Sequence, residues 1–189
     1  LWDLFHRQWD DKFRPLRWLM LFYSGLVRSL DVASTQRFDA VLAGSEIVKQ
    51  RVESYYDIDA DVAYCPVDSF EFEHSSGEGY YLMLTRIVPE KRVKLVIEAF
   101  NELELPLKIA GTPTGSSQEY DRECRELAGE NVEFVGWVEG DEKHELLSNC
   151  EALVFAAERE DFGMPPIEAL AAGKPVIGVR EGYTKHQIE

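Results

Sequence analysis

From Tyr80 onward the chain alternates short apolar runs with helix-like windows, and few folds accept that pattern. The runs are Tyr80–Leu84, Leu107–Gly111, Val132–Val135, Ala152–Phe155 and Val176–Val179. Each is short and mostly apolar, as in strands covered on both faces. Helical windows lie between them at Val93–Asn101, Glu119–Leu127, Asp141–Ser148 and after Met164. Strands and helices alternating at this spacing predict an α/β fold with a parallel sheet and helices on both of its faces. Ligands on such sheets bind beyond the strand C-terminal ends, at a switch in strand order. Arg86, Gly111, Trp137 and Glu160 each follow a strand and are expected to converge on that edge.

The stretch Glu160 to Gly173, E-D-F-G-M-P-P-I-E-A-L-A-A-G, is the most specific local signal. Pro165 and Pro166 sit at the first positions of a helix, where a missing N–H costs little, and Gly173 follows its end. A helix start of this kind leaves backbone N–H groups free to meet an anion. Arg86 and Lys91, in the loop after the Tyr80–Leu84 run, add positive potential to an acidic chain and suit a diphosphate. Glu160 lies in the loop before the helix, and Glu168 is expected in its first turn, where an acid complements the helix dipole. Two carboxylates suit a glycosidase pair. They equally suit vicinal sugar or ribose hydroxyls, whose protons they accept, and hydroxyl binding is the reading favoured here.

Upstream, residues 1–31 read as helical, with Trp2, Phe5, Trp9, Phe13 and Leu16 spaced by three or four. Such a stripe ordinarily faces a core. Flanked by Arg7, Lys12, Arg14 and Arg17, it also suits a membrane surface or an acceptor. A second helix is expected over Asp31–Arg37, then a buried strand at Phe38–Ala43. Ser45 caps a helix running to about Tyr56, and Val62–Cys65 forms a short strand. Apolar periodicity lapses over residues 67–79. The organisation expected is residues 1–66 as the end of one α/β domain, 67–79 as linker and 80–189 as a second domain. The opening without Met and the stop at Gln187-Ile188-Glu189 read as a piece of a longer protein.

A formal charge of -15 excludes a general nucleic-acid binder, which needs a basic face. Cys65, Cys124 and Cys150 have no C-x-x-C spacing and read as reduced thiols. His6, His74, His144 and His186 show no metal-ligand spacing. The apolar run Leu16–Val27 contains Arg17 and falls short of the roughly twenty residues a spanning helix needs.

Glu160 and Glu168, with Phe162-Gly163 between them, resemble the E-x7-E motif of retaining nucleotide-sugar glycosyltransferases of the GT-B fold, family 4 above all. Thr85 to Arg92 is similar to that family's G-R-L…K-R loop, and Leu107–Gly111 to its L-x-I-x-G strand. Asn131–Gly136 is similar to its N-V-x-F-x-G strand and Gly173–Val176 to its G-x-P-V step. The variant E-D-F-G-M-P-P-I-E, together with the opening Trp2-Asp3 and Ser45, resembles the mannosyltransferase-like branch of polysaccharide and O-antigen assembly.

The resemblance implies two Rossmann-like domains, the second binding a UDP- or GDP-sugar donor. Arg86 and Lys91 would take the diphosphate next to the Pro165 helix start. Glu160 and the backbone of Phe162, Gly163 and Met164 would hold the donor sugar. Glu168 would take the ribose and the Gly136–Val138 loop, Val138 included, the base. Arg86, Lys91 and Glu160 would be the catalytic set, with no cofactor and no metal. Transfer would retain configuration, to a glycan or lipid-linked acceptor, in the cytoplasm or at the cytoplasmic membrane face. Asp161 departs from the family's usual small residue and adds negative charge near a diphosphate. The Gly-rich loop and acceptor-side histidine of the family's N-terminal domain have no match here, so the piece is expected to bind donor without transferring sugar. The other readings are a GT-B nucleotide-sugar epimerase, against which the Arg86/Lys91 loop and E-x7-E argue together, and a non-catalytic nucleotide-sugar-binding module.

Overall fold

The computed structural model describes residues 14–67 and 75–188, with side chains from residue 18 onward. The stripe Trp2, Phe5, Trp9, Phe13 and Leu16 lies outside the described side chains, and much of the 67–79 segment outside the described residues. The chain divides into two units, one up to Ala63 and one from Tyr64.

In the first unit, α1 (Arg14–Thr35) is one continuous helix, not two helices meeting near Asp31. No Pro or helix-ending Gly interrupts residues 16–35, and the single Gly25 is tolerated inside it. Two short parallel strands, β1 (Leu42–Ala43) and β2 (Asp61–Val62), flank α2 (Glu46–Tyr56). Ser45 caps α2 as its sequence position predicts, accepting from the Val48 N–H at 3.3 Å. The expected buried strand over Phe38–Ala43 shrinks to two residues, and Phe38 and Leu42 are exposed. The Val62–Cys65 strand likewise shifts to Asp61–Val62. A two-stranded sheet offers few neighbours to extend the pairing or cover Leu42.

The second unit holds a five-stranded, all-parallel sheet ordered β5-β4-β3-β6-β7. Its strands are β3 (Tyr81–Leu84), β4 (Leu107–Ala110), β5 (Val132–Gly136), β6 (Leu153–Phe155) and β7 (Val176–Gly178). The helices are α3 (Val93–Leu103), α4 (Gln118–Leu127), α5 (Gly140–Asn149), α6 (Met164–Ala171) and α7 (Thr184–Ile188). Consecutive strand residues point to opposite faces, and the core divides accordingly. Leu82 and Leu153 join Leu147, Ala169 and Ala172 on the α5/α6 side. Met83, Ile109 and Val154 join Val93, Val96, Ile97, Phe100 and Cys124 on the α3/α4 side. The α3 set recurs at three- and four-residue steps, the stripe that docks a helix on a sheet. Each fully buried Leu or Ile contributes about 1.5–3 kcal/mol relative to exposure. Asn131 closes the far edge, its amide donating to the carbonyls of Phe100 and Leu105 at 2.9 and 2.8 Å.

From β3 the chain winds outward through β4 and β5, then returns across β3 to lay down β6 and β7. The switch in direction falls between β3 and β6, and ligands of such sheets bind beyond the strand ends near it.

Cys124 and Cys150 are buried while Cys65 is exposed. Burial pushes the Cys124 and Cys150 thiols up from 9.0 to about 11. The folded chain therefore keeps two protons that the unfolded chain gives up, and stability falls as pH rises from about 9 through about 11. A thiol-specific chromogenic reagent is expected to titrate one cysteine in the native protein and all three in denaturant. The urea midpoint is expected to drop progressively across that alkaline window.

Candidate functional site

Three strand ends build a cleft. After β3 come Thr85 and Arg86, after β4 Gly111, and after β5 Trp137 and Val138. The first two loops are zipped together: the Thr85 N–H donates to the Ala110 carbonyl at 2.9 Å and the Ile87 N–H to Thr112 at 3.0 Å. Gly111 donates to the Gly136 carbonyl at 2.6 Å and adopts φ +146°. A Cβ there would sit 1.7 Å from the Thr85 carbonyl oxygen, so the close approach of the two loops requires glycine. The cleft is about 280 Å³ and open to solvent, and its lining includes Leu84, Trp137, Val138, Arg86, Lys143 and Pro165. Arg86 is exposed, and its guanidinium forms no hydrogen bond or ion pair with any described residue.

The helix start at α6 is narrower than a generic anion site. Gly163 is its N-cap, Met164 the first residue, and Pro165 and Pro166 carry no N–H. Of the four donors a helix start normally leaves open, only the N–H groups of Gly163 and Met164 remain. Gly163 is held from both sides. Its carbonyl accepts from the Gln187 side-chain amide of α7 at 3.0 Å, and a Cβ on it would press on Phe155 and Glu160 at 3.1 Å.

Glu168 does not fall in the first turn as expected. It is the fifth residue of α6, beyond the reach of the N-terminal dipole argument. Its partner is instead Lys143 of α5, whose Nζ donates to Glu168 Oε1 at 2.9 Å. Both side chains are largely buried, at 25% and 13% exposure, which fixes the carboxylate at the cleft edge.

Glu160 forms an ion pair with Lys91, each less than a fifth exposed. Lys91 ends a 3-10 turn (Pro89–Lys91) and lies 5.8 Å over the Phe155 ring. The Glu160 loop is pinned further by two backbone bonds: Glu158 N–H to the Glu90 carbonyl, and Tyr183 N–H to the Glu160 carbonyl, each 2.8 Å. Gly182, at φ +55°, passes so close that a Cβ would lie 2.6 Å from the Glu160 backbone. Phe162 stacks on Tyr183 with ring centroids 5.5 Å apart, and Tyr64 lies against both rings.

Of the residues singled out in sequence, Arg86, Val138 and Pro165 line the cleft itself. Glu168 reaches it through Lys143, while Lys91, Glu160, Phe162, Gly163 and Met164 form the adjoining loop and helix start. Lys143 escaped the sequence reading. Its signal was a lysine in the first turn of a helix, against the dipole.

Residues 66–189 match the model of the family described as Glycosyl transferases group 1. The chain belongs to that family. The serotype-specific mannosyltransferase WbdA of Escherichia coli is 25% identical over 173 residues, covering 78% of this chain and 21% of its own. The α-1,3/1,6-mannosyltransferase ALG2 of Dictyostelium discoideum is 30% identical over 125 residues, 54% of this chain and 30% of its own. Among solved structures, Anabaena HepE in complex with UDP and glucose superposes with a TM-score of 0.74 at 18% identity, over 86% of this chain and 50% of its own. At that identity the likeness is one of fold, and the fold is of the GT-B type. In each comparison the chain accounts for half or less of the relative's length.

Proposed function

We propose that the second unit binds a nucleotide-diphosphate sugar and that its full-length protein transfers the sugar, mannose, to a glycan or lipid-linked acceptor with retention. The observation that carries this reading is the cleft at the ends of β3, β4 and β5 beside the start of α6, where an unpaired guanidinium, a two-donor helix start and a lysine-fixed carboxylate adjoin. Arg86 meets the diphosphate with its planar fork of donors. Lys91 spends one donor on Glu160 and keeps two for a phosphate oxygen. Gly163 and Met164 offer their N–H groups to the same anion. Glu168, oriented by Lys143, accepts from the ribose hydroxyls, and Val138 and Trp137 receive the base. Glu160, with the backbone of Phe162, Gly163 and Met164, holds the donor sugar. These cations and N–H groups, without a metal, stabilise charge as it builds on the departing diphosphate. The bond from the anomeric carbon to phosphate breaks while the acceptor oxygen bonds to that carbon on the same face. The acceptor's proton passes to the departing phosphate oxygen.

The reaction is placed in the cytoplasm, at the membrane face. Trp18, Phe22 and Tyr23, exposed on α1, support a peripheral contact there, and no described helix is long and apolar enough to cross a membrane.

Titration calorimetry with UDP- and GDP-sugars tests the donor reading: saturable binding is expected, and absence of binding to every nucleotide sugar overturns it. Lys143→Met is expected to weaken nucleoside-diphosphate binding roughly tenfold, about 1.4 kcal/mol, by freeing Glu168 from its orientation. An unchanged affinity removes Lys143 from the site.

A further inference from the structure

One cleft residue conflicts with a site built only for a dianion. Glu139 lines the cleft beside Trp137 and Val138, and a carboxylate near a diphosphate is unfavourable unless it has donors to meet. It stands at the N-cap of α5 in extended backbone, yet its side chain makes no capping bond. Glu139 Oε2 instead accepts from the Trp137 indole Nε1–H at 3.3 Å, which holds the carboxylate beside the indole assigned above to the base. Trp137 is 64% exposed and so presents an open ring face beside it.

We infer that Glu139 selects guanine over uracil as the base of the donor, an assignment that rests on the nucleotide-sugar reading above. An ionised carboxylate only accepts hydrogen bonds. Guanine carries two adjacent donors, N1–H and the 2-amino group, which match the two carboxylate oxygens side by side. Uracil has a single N3–H between two carbonyl oxygens, so the same carboxylate gains one bond and faces two acceptors. Glu139 is exposed, so the discrimination comes from the bonds gained, two charge-assisted bonds to guanine against one to uracil. Trp137 adds stacking that either base receives, so the discrimination resides in Glu139.

Equilibrium titration of the whole chain with GDP, IDP and UDP tests this, alongside Glu139→Gln. The glutamine keeps an oxygen for the Trp137 indole but turns one acceptor into a donor. Wild type is expected to bind GDP at least about tenfold tighter than UDP, with IDP, which lacks the 2-amino group, between them. Glu139→Gln is expected to erase most of that ratio by weakening GDP while leaving UDP within about threefold. Equal affinity for GDP and UDP, with both weakened by Arg86→Ala, overturns the base assignment and leaves the nucleotide-sugar reading standing. A GDP preference that survives Glu139→Gln intact also overturns it. Binding of none of the three overturns both.

Discussion

Replacing Arg86 with alanine is expected to weaken nucleoside-diphosphate binding by about 1.5–3 kcal/mol, roughly 10- to 150-fold, without changing the fold. Two observations set that expectation apart from an ordinary surface substitution. The guanidinium lines the cleft but makes no bond to a described residue, so little internal structure depends on it. Its neighbours Leu84 and Val138 carry apolar side chains that offer the guanidinium no competing acceptor. Because Arg86 is exposed, the loss shrinks at high salt. Arg86→Lys recovers part of the affinity, since charge is restored but not the planar pair of donors. Circular dichroism and urea midpoint are expected to match the wild type, and unchanged nucleotide affinity in Arg86→Ala removes the residue from the site.

Gly111→Ala is expected to cost upward of about 3 kcal/mol of stability, from unfavourable backbone torsion and a steric clash together. The clash is between backbone atoms: the new Cβ would lie 1.7 Å from the Thr85 carbonyl oxygen at a φ of +146°. Neither strand end can yield cheaply, because bonds from Thr85 to Ala110, Ile87 to Thr112 and Gly111 to Gly136 hold the three loops in register. Displacing Thr85 carries Arg86 with it, so whatever fraction folds is also expected to bind nucleotide poorly. Urea unfolding followed by tryptophan fluorescence measures the first effect. A stability within about 0.5 kcal/mol of wild type, the range of neutral surface changes, contradicts the proposed packing.

Where local chemistry decides, the sequence was a sufficient guide. In the second unit short apolar runs became strands within a residue or two, the Pro pair marked the start of α6, and Ser45 capped α2 as expected. Where strand order decides, it was not. Lys143 and Glu168 are 25 residues apart and meet only because β6 inserts beside β3 and lays α6 near α5. Arg92 and Glu181 form a bidentate pair at 2.9 and 3.0 Å for the same reason, across a separation no periodicity reports. Gly111 was expected at the ligand edge, but nothing local announces that Thr85 will pass so close to it. The first unit was misread differently. A pattern of burial was inferred for Phe38–Ala43, but a two-stranded sheet leaves Leu42 exposed.

The measurement that bears most directly on the site is a crystal structure of the chain with a bound nucleoside diphosphate. The diphosphate is expected within hydrogen-bond distance of the Arg86 guanidinium and the Gly163 and Met164 N–H groups, with the ribose hydroxyls on Glu168. A diphosphate bound away from the cleft, or a ribose that leaves the Lys143–Glu168 pair untouched, contradicts it.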